Sequence, residues 1–212
     1  MSAKIKRKKS KRFIAVAGNM GAGKTELVHF LSRRYGLVPF YEPHADNPYL
    51  ADFYSDMKRW AFHSQLAFLA HKLRLHRRLE ETDGIVVQDR TIYEDAEVFA
   101  RNLHRQRLIS KRDWQTYEAL YAAACKSLSP PDLMIYLRAS VRTIRRRIVM
   151  RGRPEEQAVP AAYVRRLNKL YEDWFERYDL SEVITLDTDR LDYLTNLVDR
   201  IDLFRRIEQY LE

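Results

Sequence analysis

Short apolar runs and longer amphipathic stretches alternate along the chain. Residues 13–18 (FIAVAG) form an apolar run closed by glycine, the pattern of a strand buried on both faces. Leu27, Phe30 and Leu31 then recur at helical spacing and predict a helix over 24–35. Further strands are predicted at 37–42 (LVPFYE), at 85–89 (IVVQD) after Asp83–Gly84, at 133–139 (LMIYLRA) after Pro130–Pro131, and at 183–187 (VITLD). Helical patterns fill the gaps at 48–58, 60–80, 92–107, 111–127, 141–151, 161–178 and 192–211. Strands alternating with helices predict an α/β fold, a five-stranded parallel sheet with helices on both faces. No internal repeat, linker or composition shift divides it, so residues 13–212 read as a single domain.

Composition narrows the class. With 212 residues, 46 % of them hydrophobic, the chain is long enough to bury a sizeable core. No apolar run reaches the roughly 18 residues of a membrane span. The N-terminus has basic residues but no apolar segment behind them, so no secretory signal is expected. A lone cysteine, Cys125, excludes a disulfide framework and suits a reducing compartment; the expected location is the cytoplasm. The net charge of +9 suggests a polyanion partner until it is located. Residues 1–12 hold seven Lys/Arg and no acid, leaving +2 for the other 200 residues. The charge is that of a disordered basic tail, and nucleic acid is not the expected partner of the body.

Gly18-Asn19-Met20-Gly21-Ala22-Gly23-Lys24-Thr25 fits G-x-x-x-x-G-K-[ST] between a predicted strand and a predicted helix, the context this loop requires. Its glycines let backbone N–H groups turn onto a phosphate, and the helix N-terminus adds partial positive charge. Lys24 is placed to reach the β and γ phosphates of ATP, and the Thr25 hydroxyl to ligate Mg²⁺. The switch element D-x-x-G and the guanine-reading N-K-x-D are both missing, since Asn168-Lys169-Leu170-Tyr171 stops short. At this size the pattern predicts a P-loop kinase of small acceptors.

Glu42 ends the second predicted strand, where ligands collect in open parallel sheets. A hydroxyl acceptor benefits from a carboxylate base, whereas a phosphate acceptor wants arginines, so Glu42 favours an alcohol as nucleophile. Asp89-Arg90 ends the third strand; the acid can hold Mg²⁺ and the arginine can neutralise charge on the transferred phosphoryl group. Arg147, Arg151 and Arg153, with Gly152 as hinge, predict an arginine-rich lid over about 147–158.

Taken together these motifs resemble the deoxyribonucleoside kinase family from about residue 13 to the end. They stand in order: GNMGAGKT, Glu42-Pro43, Tyr54, then Arg59-Trp60-Ala61-Phe62-His63-Ser64-Gln65, Asp89-Arg90-Thr91-Ile92-Tyr93-Glu94-Asp95, and RIVMRGRPEEQ. Length and the stretch AFHSQLAFL look more like bacterial deoxyadenosine and deoxyguanosine kinases than the longer animal enzymes. The resemblance implies Glu42 as base for the 5′-hydroxyl and Arg90 as support for that carboxylate and the phosphoryl group. It implies Asp89 near Mg²⁺, Tyr54 and Glu156 on the sugar 3′-hydroxyl, Trp60 as a wall of the nucleoside pocket and Gln65 on the base edge. Arg147 matches the residue beside the adenine of ATP, and Arg151 and Arg153 match phosphate-clamping lid arginines. A homodimer is implied as well.

Two positions depart from the longer members. Ser64 replaces a usual Phe, and Lys72 stands where an Arg is common. Gln65 and Lys72, seven apart on one helix face, with Asp95 opposite, can exchange hydrogen bonds with a purine, or with the amino group of cytosine. The expected reaction is therefore ATP-dependent phosphorylation of deoxyadenosine or deoxyguanosine. A kinase preferring deoxycytidine or thymidine, or one of broad specificity, is the alternative. A nucleoside monophosphate kinase such as thymidylate kinase, and a non-catalytic ATP- or nucleic-acid-binding protein, are the remaining rivals.

Overall fold

Five parallel strands lie in the order β2-β3-β1-β4-β5. They are β1 (Arg12–Gly18), β2 (Val38–Phe40), β3 (Ile85–Asp89), β4 (Leu133–Arg138) and β5 (Glu182–Asp187). The computed structural model describes residues 12–41, 47–152, 159–189, 201, 205–208 and 210–211. The basic tail up to residue 11, Glu42-Pro43, the lid from Arg153 to 158 and most of the helix expected at 192–211 lie outside the described residues.

Alternate residues of the central strands feed two separate cores, as a sheet covered on both faces requires. On one face Phe13, Ala15, Ala17 and Val86 pack with α3 (Met57–Glu81), α6 (Lys111–Cys125) and α8 (Ala161–Phe175). On the other face Ile14, Val16, Val87 and Ile135 pack with α1 (Lys24–Tyr35) and α7 (Val141–Arg151). Among the described residues no helix is long and apolar enough to cross a membrane.

Three differences from the sequence reading have local causes. The second strand is only three residues long and contains Pro39, which its place at the sheet edge tolerates. The helices expected at 48–58 and 60–80 become α2 (Leu50–Ser55) and α3, divided at Asp56, whose carboxylate accepts from Arg59 N and starts α3. The helix expected at 92–107 is interrupted: α4 (Ile92–Glu94) passes into a π-helical stretch (Asp95–Ala100) before α5 (Arg101–Arg105). Such wide turns recur at functional sites because they re-aim the side chains that follow.

Candidate active site

The carboxyl ends of β1 and β3 meet, with Val16 beside Asp89 in the parallel ladder. This register puts the P-loop, which leaves β1 at Gly18, next to Asp89 and Arg90. Gly18 has a φ of +150, and a Cβ there would lie 2.7 Å from the carbonyl oxygen of Leu137. Only glycine lets the loop turn that close to β4. Gly18→Ala is expected to weaken ATP binding at least about tenfold and to lower stability by about 1–3 kcal/mol, the usual range for a clash at a strained backbone. Titration with ATP together with a melting curve checks both. Gly23, also left-handed at φ 102, precedes Lys24, and α1 begins without a side-chain cap. Its first-turn N–H groups therefore face the loop as anion donors.

The loop is fastened from three directions. Glu94 Oε1 accepts from Gly18 N at 3.1 Å, and the Tyr171 hydroxyl lies 2.9 Å from Gly18 O. The Asn19 amide donates to Asn168 Oδ1 at 2.6 Å and to Val164 O at 3.2 Å, both on α8. Arg147 donates to Ala22 O at 3.0 Å and to Gly21 O at 3.5 Å, and it also holds Thr188 through Oγ1 at 3.0 Å and through its carbonyl at 2.9 Å. Met20 N is held by Asn19 Oδ1 at 2.8 Å. Thr188 carried no signal of its own in the sequence; Glu94 had only its place in the Asp89–Asp95 motif, and Asn168 and Tyr171 only their place in the incomplete N-K-x-D.

Lys24 Nζ is buried and donates to Gly18 O at 2.8 Å and Asn19 O at 3.1 Å. Thr25 Oγ1 donates to Asp89 Oδ2 at 2.6 Å. Two adjacent hard oxygen donors beside a phosphate loop suit Mg²⁺, which takes one or two protein oxygens and fills its shell with phosphate and water.

Arg90 takes a left-handed backbone, φ 57, rare for a residue with a side chain. Its N–H donates to Val16 O at 3.2 Å and its carbonyl accepts from Lys72 Nζ at 2.6 Å. The guanidinium lies over the Phe99 ring at 4.3 Å. Lys72 is 1 % exposed and stands 4.0 Å from Asp95 Oδ2. Its ammonium braces the strained peptide at Arg90.

Gln65 is buried on the face of α3 that also carries Lys72, and Ser64 beside it accepts from Asn47 Nδ2 through both Oγ and its carbonyl at 3.0 Å. The small residue at 64 thus ties the segment before α2 to α3. Trp60 stacks on Tyr49 at 5.7 Å and meets His63 edge-on at 5.2 Å, an aromatic cluster at the start of α3. Tyr54 is 64 % exposed on α2. Tyr163, at the start of α8, has its pKa raised by burial and by Tyr54 and lowered by Arg90, so all three are within electrostatic reach of one another. Neither Tyr163 nor Phe99 was singled out from sequence. Arg151 ends α7 on the exposed side. Glu42, Arg153 and Glu156 lie outside the described residues.

A P-loop at the centre of a 2-3-1-4-5 parallel sheet, with an Asp-Arg pair on the adjoining strand, defines a phosphotransferase of the P-loop kinase fold. The sequence pattern of deoxynucleoside kinases matches residues 14–212. A deoxyadenosine/deoxycytidine kinase of Bacillus subtilis is 36 % identical over 196 residues, covering 89 % of this chain and 90 % of its own. A deoxyguanosine kinase of Lactobacillus acidophilus is 36 % identical over 195 residues, covering 88 % and 85 %. The solved structure of deoxyadenosine kinase from M. mycoides with bound dATP superposes with a TM-score of 0.78 at 30 % identity, covering 93 % of this chain and 99 % of that one. The chain belongs to the deoxynucleoside kinase family.

Proposed function

We propose that this enzyme transfers the γ-phosphate of ATP to the 5′-hydroxyl of deoxyadenosine or deoxyguanosine. The observation that carries the choice of base is the buried Asp95 carboxylate, 4.0 Å from Lys72 at the head of the π-helical stretch. Asp95 offers acceptors to an exocyclic amino group, and Gln65 offers a donor and an acceptor to the base edge. The names of the Bacillus, Lactobacillus and M. mycoides relatives support a purine substrate. The Bacillus relative, named for deoxycytidine as well, favours a second reading in which any amino-bearing base is accepted.

In this reading Glu42 removes the hydroxyl proton, and Arg90 holds that carboxylate and the transferred group. Lys24 draws charge from the β and γ phosphates. Tyr54 and Glu156 hold the 3′-hydroxyl, Trp60 walls the nucleoside pocket, and Arg147, Arg151 and Arg153 close a lid over 147–158. Thr25 and Asp89 hold Mg²⁺, which when bound neutralises phosphate charge and orients the triphosphate. The catalytic domain runs to residue 212 and begins with β1, which already includes Arg12, the last basic residue of the expected tail. The lone Cys125 supports a cytoplasmic enzyme, and Leu120, 47 % exposed on α6 beside half-buried Tyr121 and Cys125, supports a homodimer across that helix.

Initial rates with Mg·ATP against the four deoxynucleosides, with deoxythymidine monophosphate alongside, test the reading. The expected order puts deoxyadenosine or deoxyguanosine first. Asp95→Ala should lower kcat/KM for the preferred base about 10–100-fold, the worth of a hydrogen bond to a charged acceptor, and affect thymidine much less. Equal losses on every base would remove Asp95 from recognition. Turnover of the monophosphate alone would make the enzyme a nucleotide kinase.

A further inference from the structure

Three groups from distant parts of the chain converge on the peptide of Gly18, and their hydrogen count is informative. Gly18 N donates to Glu94 Oε1 at 3.1 Å. The Tyr171 hydroxyl oxygen lies 2.5 Å from that same Glu94 oxygen and 2.9 Å from Gly18 O. Both side chains are 0 % exposed. A phenol carries one hydrogen, so it makes one full hydrogen bond, to Glu94 or to Gly18 O, or a weaker one shared between them. With an ionised Glu94, sharing weakens both contacts or leaves one oxygen–oxygen pair without a hydrogen, at odds with the 2.5 Å separation from Glu94.

A hydrogen on Glu94 resolves the conflict. The carboxyl O–H donates to the Tyr171 oxygen, the Tyr171 O–H donates to Gly18 O, and Gly18 N–H donates back to the Glu94 hydroxyl oxygen. This is a closed ring of three hydrogen bonds around the first glycine of the phosphate loop. The second Glu94 oxygen, Oε2, is buried with no hydrogen-bond partner among the described residues, an arrangement far less costly for a neutral carbonyl than for a carboxylate.

We propose that Glu94 and Tyr171 form an uncharged, proton-bearing clasp that sets the position of the P-loop for the triphosphate of ATP. Both are positioning residues: they act through Gly18 rather than on substrate. The groups facing the clasp are Lys24 from α1, Arg90 beyond β3 and Tyr136 on β4, whose ring stacks on Tyr171 at 5.9 Å. Burial raises the pKa of Glu94, against Lys24, Arg90, Tyr171 and Gly18 N–H, which lower it. A neutral clasp has a consequence for chemistry. It secures the loop without adding a fixed anion of its own beside Lys24.

The inference rests on the loop being the ATP site, and the experiment separates the two. Glu94→Gln, Glu94→Ala and Tyr171→Phe are compared with the unaltered chain by steady-state kinetics, varying ATP and deoxynucleoside in turn. Infrared difference spectra at neutral pH then look for the protonated-carboxyl stretch. The clasp predicts such a band in the unaltered chain and its loss in Glu94→Gln. Glu94→Ala should raise KM for ATP at least about tenfold, with KM for the deoxynucleoside within about twofold. The neutral Gln, whose amide can donate to Tyr171 or accept from Gly18 N but cannot do both at one atom, should recover only part of that loss, and Tyr171→Phe, which leaves the ring packed, should also raise this KM. Absence of the band overturns the clasp in favour of a charged Glu94 pairing with Lys24. So does a KM for ATP unmoved in Tyr171→Phe. Failure of the unaltered chain to use ATP would instead refute the assignment of the loop, and the infrared band would still decide the proton.

Discussion

Replacing Lys24 by Met should lower kcat by about 10²–10³, the loss that follows removal of one preorganised donor from developing charge, or ~2.7–4 kcal/mol. The ammonium now rests on two carbonyls of its own loop, Gly18 O and Asn19 O, with most of its stem buried. Those acceptors are neutral. A triphosphate laid along the loop offers anionic oxygens instead, and the stem is long enough to carry the charge across to them. Met keeps the apolar stem and its packing but removes the charge, so the melting temperature should shift little. Gly18 O would retain its contact with Tyr171. Steady-state kinetics at saturating deoxynucleoside, with a melting curve alongside, checks the prediction. A kcat within tenfold of the parent at unchanged stability would mean that the loop does not present Lys24 to the transferred phosphate.

The P-loop and the Asp-Arg pair were legible in the sequence because each is a local pattern whose chemistry depends on neighbours a few residues away. The central strands were legible for the same reason: 13–18, 85–87 and 133–137 are apolar runs, and both faces of the sheet are covered. What the sequence hid is contact across long separations. Asn168 looked like a failed guanine-reading motif, yet its side chain holds Asn19, 149 residues earlier. Tyr171 reads as one more amphipathic position on α8, yet its hydroxyl reaches Gly18, 153 residues away. Lys72 shares the buried face of α3 with Gln65, as the spacing put it; the left-handed turn at Arg90, which brings a carbonyl within 2.6 Å of its ammonium, had no local signal. Helical periodicity likewise cannot announce the π-helical stretch, since Asp95–Ala100 contains no residue that breaks a helix; its packing between α3 and α8 is a contact across long separations.

Changing Glu42 to Gln should cut kcat by at least about a hundredfold, toward the upper range of general-base effects, with KM for the deoxynucleoside near normal. The sheet register supports the placement. Phe40, the last residue of β2, pairs with Gln88, so the chain leaving β2 emerges beside the one that carries Asp89 and Arg90 out of β3. Tyr41, which follows, has its pKa raised by burial and by the nearby Asp89 carboxylate, so this exit faces the P-loop end of β3. Residue 42 is next. An alcohol holds its proton far above neutral pH, and attack on phosphorus becomes easier as a base accepts that proton in the transition state. Gln can still accept a hydrogen bond from the 5′-hydroxyl, so ground-state binding survives while the proton acceptor is lost. A loss confined to kcat therefore marks a base, whereas a rise in KM at constant kcat marks a binding contact. Glu42→Asp adds a control, because a shortened carboxylate keeps the chemistry and loses reach; its rate should fall between the parent and Gln. Turnover that barely changes in Glu42→Gln would remove the base from the reaction, and with it the argument that the acceptor is an alcohol rather than a phosphate.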